Sequence, residues 1–231
     1  MYFKLCNVNN FNSDIVRSKS NIKYIVVHYT AGNGDTARNN VEYFHRERVG
    51  ASAHYFIDGC EVAGSVPWFN VAWHCGGKVI TGQGGSVHGS CTNYNSIGVE
   101  MCSRRDDGGA YYFTDKTVLM AAQFVAELMQ DYNVPIERVV RHYDVTGKVC
   151  PAPFVNDRVW ASFKALVQKR YERVTDLYYE KLEEIPEGEL RNTVAQLVKT
   201  GVIRGDGSGL HLTMDMIRCL VFCKRMIDSV S

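Results

Sequence analysis

The chain lacks an excess of charge of either sign: 26 Lys and Arg stand against 25 Asp and Glu, a formal charge of +1. No net field draws it to nucleic acid or to an anionic membrane surface, and neither is expected as a partner. Long apolar runs are missing too. Nowhere do about 18 consecutive apolar residues occur, so no helical membrane span is expected. The start, Met1-Tyr2-Phe3-Lys4-Leu5-Cys6-Asn7, has no basic stretch followed by an apolar one, so no Sec-type signal is expected either. Several motifs are absent. There is no His-Glu-x-x-His, and no His-x-Glu with Pro-Cys-x-x-Cys, which excludes two familiar kinds of zinc hydrolase. Gly82-Gln83-Gly84-Gly85 lacks the lysine and register of a phosphate loop and reads as a flexible lip.

Cysteine is not scarce, but its distribution is uninformative as a framework. Cys6, Cys60, Cys75, Cys91, Cys102, Cys150, Cys219 and Cys223 are scattered through a chain long enough to build its own core. Most are expected to be reduced, buried thiols. Cys219 and Cys223, at i and i+4 with His211 upstream, read as buried helix thiols rather than as a second metal site.

At 231 residues, 45% apolar and 22% charged, the chain holds one full core and a small appendage. The class expected is α/β, with three parts: 1–165, a helical connector over 166–184, and a small helical unit over 185–231. Ile22 to His28 reads as a central strand, and Thr36 caps a helix from Ala37 to about Arg48. His54–Ile57 and Glu61–Val66, around an Asp58-Gly59 turn, read as a hairpin flanking that first strand. From Trp68 to Tyr94 no period appears, which marks a long loop, functional or mobile. Ser96–Cys102 restores a strand whose alternation sets Gly98, Glu100 and Cys102 opposite Ile97, Val99 and Met101. Asp115–Tyr132 is a helix with Leu119, Ala122, Val125, Leu128 and Met129 facing inward, and Val139–His142 is a last short strand. Helix then runs from Val155 through Val159, Trp160 and Phe163. The terminal unit carries a helix through Leu190 and Val194, the turn Gly205-Asp206-Gly207-Ser208-Gly209, and a helix capped by Thr213.

The chemistry concentrates in Arg141-His142-Tyr143-Asp144-Val145-Thr146-Gly147-Lys148-Val149-Cys150-Pro151. His142 and Cys150 lie across a loop that can fold back on itself, and His28 closes an apolar strand. Alone, His28 reads as a core histidine satisfied by a hydrogen bond. Together the three make two imidazoles and a thiolate, the donor set of a catalytic zinc whose fourth position is left for water. Glu100 interrupts an apolar strand. Trp73 and His74 are groove-wall candidates or structural residues in equal measure. Asp144 either bonds a ligand histidine or caps a turn.

Four segments in order resemble the zinc-dependent N-acetylmuramoyl-L-alanine amidases, the phage endolysins and bacterial autolysins related to animal peptidoglycan recognition proteins. They are the strand ending in His28, Ser52-Ala53-His54-Tyr55, Ser96-Ile97-Gly98-Val99-Glu100, and the His142 to Pro151 run. The resemblance covers residues 15 to 165 or thereabouts. It implies a mixed central sheet flanked by helices and a groove for peptidoglycan floored by one zinc ion. It also implies cleavage of the amide between N-acetylmuramic acid and L-alanine, in a phage or prophage endolysin held in the host cytoplasm until lysis. Glu100 is then the general base and proton donor, Lys148 the oxyanion stabiliser, and Trp73, His74, His54 and Tyr55 the substrate contacts. Some relatives place a tyrosine where Ala53 stands; Tyr29 or Tyr55 is left as a substitute. The alternative is a recognition protein that binds muropeptides without cutting them, but such relatives typically lose the cysteine ligand, and Cys150 is retained. The terminal unit more weakly resembles a single S-layer-homology repeat, which implies wall binding through a secondary polymer; its rival role is self-association.

Overall fold

The computed structural model describes residues 1–175, 178–205, 207 and 209–228, so Asp206 and Ser208 of the expected glycine-rich turn lie outside it. The chain divides into two compact units, residues 1–171 and 172–231. In the first, strands β1 (Tyr2–Phe3), β2 (Phe11–Asn12) and β3 (Tyr24–Tyr29) lead to helix α1 (Ala37–Arg46). Then come β4 (Tyr55–Ile57), β5 (Val62–Gly64), β6 (Val71–Ala72), β7 (Ser96–Met101), β8 (Arg104–Arg105) and β9 (Tyr111–Tyr112). Helix α2 (Asp115–Tyr132), β10 (Val139–Arg141), α3 (His142–Thr146) and α4 (Asp157–Thr175) complete it.

Six strands form a mixed sheet in the order β1-β5-β4-β7-β3-β10, in which β4, β7, β3 and β10 run parallel and β5 is antiparallel to β4. The alternation of β3 and β7 divides chemistry from core. Ile25, Val27, Ile97, Val99 and Met101 face α2 and α4, where Ala122, Val125, Met129, Trp160 and Phe163 close over them. Val26, His28, Gly98 and Glu100 occupy the other face. Parallel strands are covered on both sides, which is why these runs are apolar nearly throughout.

Several local expectations meet the structure directly. The Thr36 hydroxyl accepts from the Asn39 N–H at the start of α1, and Asn133 ends α2 in the left-handed conformation, at φ 50°. Others need correction. The hairpin of β4 and β5 does not flank β3, because β7 lies between them. A six-residue buried strand such as β7 needs backbone partners along both edges, whereas three-residue β4 and β5 are tolerated toward the rim. Leu119 is exposed, as is Val159. At about 100° per residue, Leu119 lies about 120° round the helix from Val125, off the buried stripe. His142 does not end a strand; it is the first residue of α3.

In the second unit, β11 (Tyr178–Tyr179) pairs antiparallel with β12 (Leu212–Thr213), beside α5 (Glu189–Lys199) and α6 (Met214–Asp228). The stretch expected as a connector, 166–184, holds the end of α4, which runs past residue 171, and then β11. Ile185, Val194, Leu212 and Ile217 make a small core of the unit's own. Cys219 and Cys223 are exposed on α6, not buried as expected. No helix among the described residues is long and apolar enough to cross a membrane.

Candidate metal centre

The parallel register of β3 and β7 makes His28 and Glu100 direct neighbours, and that of β3 and β10 sets Arg141 beside Val27. The residue after Arg141 therefore emerges next to His28. Helix α3 then makes one turn and is stopped by Gly147, whose φ of 80° no β-carbon tolerates well. The Tyr143 N–H donates to the Cys150 carbonyl at 2.8 Å, which closes the loop and returns the thiol to the histidines. Ligand atoms of His28, His142 and Cys150 all lie within 4.8 Å of one another, and all three residues are buried.

This turn is held from both sides. The Arg141 guanidinium donates to Asp144, to the carbonyls of Phe154 and Val155, and pairs with Asp157 at 2.9 Å. Asp144 also accepts from the Arg141 N–H, so of its two readings the structure takes the capping one. On the other side, residues 80–88 are not a free lip. Ile80, Gly85 and Val87 donate backbone N–H groups to the carbonyls of Thr146, Tyr143 and Asp144, while Gln83 Nε2 donates to that of Gly147. The unpaired carbonyls that end any helix are satisfied here by a neighbouring loop. A β-carbon at Gly84 would meet the Tyr143 carbonyl oxygen at 2.3 Å, so the contact depends on glycine.

The cluster opens on a cavity of about 270 Å³ whose walls include Tyr29, Asn40, Phe44, Trp73, His74, Glu100 and Lys148. Burial governs the protonation of its members. It holds the His28 imidazole well below its ordinary pKa and, with Lys148 nearby, lowers that of His142 to about 4. It raises the Cys150 thiol to about 12, with Glu100 adding to the effect. The Glu100 carboxyl is pushed up to about 8 by burial, against the opposing pull of Lys148, and its Oε2 has no partner. Its Oε1 lies 4.0 Å from His28 Nδ1.

Two neutral imidazoles and a thiol are a borderline-soft donor set. Tetrahedral zinc with bonds of about 2.0–2.3 Å separates its ligand atoms by about 3.3–3.6 Å. Cys150 Sγ stands 3.6 Å from His28 Nδ1, so this donor set fits such an ion, and Glu100, whose buried Oε2 has no hydrogen-bond partner, lines the same cavity.

The expected substrate contacts divide. Trp73 and His74 line the cavity. His54 and Tyr55 do not, which corrects both assignments. His54 is wholly buried and accepts the Gly98 N–H on Nδ1, and Tyr55 points to the opposite face of the sheet, edge-on to Phe124 at 4.9 Å. His54 immediately precedes β4, and consecutive residues of extended backbone face opposite ways. Of the two substitute tyrosines, Tyr29 reaches the cavity and Tyr55 does not. Arg17 escaped sequence reasoning: it is 2% exposed and donates to the carbonyls of Trp68, Asn93, Tyr94 and Ser96, anchoring the loop that carries Trp73 and His74. No local signal distinguishes it from a solvated arginine.

A family model described as N-acetylmuramoyl-L-alanine amidase matches residues 18–153. The chain is 40% identical over 141 residues to the N-acetylmuramoyl-L-alanine amidase CwlL of Bacillus licheniformis, a match covering 59% of this chain and 38% of that one. It is 36% identical over 157 residues to the N-acetylmuramoyl-L-alanine amidase BlyA of Bacillus subtilis, covering 64% and 42%. The chain thus spans about two fifths of the length of these relatives. Among solved structures, a mutant of PlyL aligns with a TM-score of 0.56 at 30% identity, covering 73% of this chain and 98% of that one.

Proposed function

The chain belongs to the N-acetylmuramoyl-L-alanine amidase family, and on that footing we propose that it hydrolyses the amide between N-acetylmuramic acid and L-alanine in bacterial peptidoglycan, with one zinc ion as cofactor. The observation that carries this reading is the convergence of His28, His142 and Cys150 in the cavity that also holds Glu100 and Lys148. Those three residues would hold the ion. When bound there, zinc supplies Lewis-acid chemistry, polarising a carbonyl and acidifying water toward neutrality.

Proton movement falls to the chain's own groups. A carboxyl raised to about 8 both takes and gives protons near neutral pH, which suits a single residue to two consecutive roles. Glu100 takes a proton from water as the new C–O bond forms. It returns that proton to the amide nitrogen as the C–N bond breaks, freeing the L-alanine amine and the lactyl carboxylate. Lys148, exposed at the cavity rim, presents an ammonium to the charge that grows on the carbonyl oxygen. A positioned donor of this kind contributes on the order of 3 kcal/mol. Trp73, 37% exposed, offers an apolar face to the sugar or the stem peptide.

Digestion of purified cell walls by the zinc-loaded protein, followed by mass spectrometry, tests the reading. New L-alanine amino termini paired with free lactyl carboxylates are expected. Wall binding with no new termini would instead make the chain a recognition protein. The same reading makes it a phage or prophage endolysin, retained in the host cytoplasm until lysis. For residues 172–231 we propose self-association or attachment to a secondary wall polymer, because Val202, Met216 and Phe222 stay exposed around the small core. Sedimentation with and without wall polymer distinguishes the two roles.

A further inference from the structure

His74 is not spent on the cavity wall alone. Its Nδ1 lies 3.0 Å from His28 Nε2, and its Nε2 lies 3.1 Å from the Ser96 hydroxyl. That hydroxyl lies 2.6 Å from the Thr92 carbonyl, which can only accept. The protons in this chain can be assigned from its far end. Ser96 donates to Thr92, so toward His74 it accepts, and His74 carries its proton on Nε2. His74 Nδ1 is then an acceptor, and the proton shared with His28 belongs to His28 Nε2. This leaves His28 Nδ1 as a lone pair, and Nδ1 is the atom 3.6 Å from Cys150 Sγ. The reverse assignment would set two acceptors against each other at Thr92 and put a proton on the nitrogen that faces the thiol.

A second feature secures the ring. A β-carbon on Gly98 would stand 2.6 Å from His74 Cγ, 2.8 Å from its Nδ1 and 2.9 Å from its Cδ2. The imidazole thus rests on the strand backbone in space that only glycine leaves open. Above it, the His74 N–H donates to Asn93 Oδ1 at 3.0 Å, which fixes the main chain.

We propose that His74 is the positioning residue of the metal centre: seated on Gly98 and held by Ser96, it accepts the Nε2 proton of His28 and so fixes the tautomer that presents Nδ1 to the ion. The proposal rests on the metal reading of His28, His142 and Cys150. Partners of this kind typically change metal affinity by 10–100-fold when removed.

Zinc affinity measured by chelator competition, together with long-range proton–nitrogen NMR of the imidazoles in the zinc-free protein, tests it. In the unaltered protein both His28 and His74 should carry their protons on Nε2. His74→Leu should weaken zinc binding by about 10–100-fold. His74→Asn, whose Oδ1 takes the place of the accepting nitrogen, should recover most of that loss. Gly98→Ala, which keeps the imidazole but displaces it, should weaken binding as His74→Leu does. A His28 proton found on Nδ1, or zinc binding by His74→Leu within about twofold of the original, overturns the proposal. If the unaltered protein itself binds no zinc, the metal reading fails first, and the relay with it. A general loss of folding in His74→Leu would appear in the NMR spectrum, and the comparison of His74→Asn with Gly98→Ala then decides.

Discussion

His28 and Glu100 are register partners on adjacent parallel strands, and their side chains meet with Nδ1 4.0 Å from Oε1. On the proposed reading His28 would bind through a neutral imidazole, and Glu100 would exchange protons from a carboxyl raised to about 8. The backbone ladder, not a loop, sets the spacing between these two side chains.

That separation of roles predicts that Glu100→Gln keeps its zinc and loses turnover by about 10²–10⁴-fold, the usual contribution of a positioned acid–base group. Metal content and rate on the same sample check it. Full activity in the glutamine variant would remove Glu100 from the chemistry.

Zinc binding should release about one proton per ion at neutral pH. The Cys150 thiol, raised to about 12, is protonated before binding and ionised after, whereas His142, lowered to about 4, is already neutral. Because the bound state holds fewer protons, affinity rises with pH below the thiol's pKa, about tenfold per unit. Titration calorimetry in buffers of different ionisation enthalpy counts the proton. Release of three would mean that both imidazoles start charged. Cys150→Ser should lose the ion and the proton together.

Arg141→Lys should destabilise the amidase unit by about 1–3 kcal/mol, since an ammonium cannot serve Asp144 and two carbonyls in the plane that the guanidinium occupies. Denaturant unfolding followed by tryptophan fluorescence reads the loss. An unchanged midpoint would show that the turn around His142 holds without this arginine.

Gly84→Ala should loosen the 80–88 loop from α3, because its β-carbon would collide with the Tyr143 carbonyl oxygen and with the α-carbon of Gly147. Faster amide exchange at Gly85 and Val87, and faster loss of zinc, are the expected results. Unaltered exchange at both amides would contradict this picture of the loop.

The amide exchange of β7 offers a contrast. Paired on both edges and wholly buried at Ile97 and Val99, it should be among the slowest to exchange in the molecule. Fast exchange there would contradict the central place of this strand.

What the sequence determined by itself was what depends on neighbours along the chain. The cap at Thr36, the full extent of the helix from Asp115 to Tyr132, and the alternation that turns Glu100 away from the core all follow from periodicity and local hydrogen bonding. The His142 and Cys150 spacing was legible for the same reason: one helical turn and a glycine stop bring both back to one place. Only the tertiary structure decided which strands lie side by side, and therefore that β7 separates the hairpin from β3 and sets Glu100 against His28. It also separated His54 from His74, two histidines with equal claim to the groove in the sequence. One is sealed beneath Gly98 and the other bonded to His28, a distinction made by strand direction and by contacts between residues far apart in the chain. Burial then set the charge states, because desolvation depends on every atom surrounding a group and is not encoded by the residues flanking it.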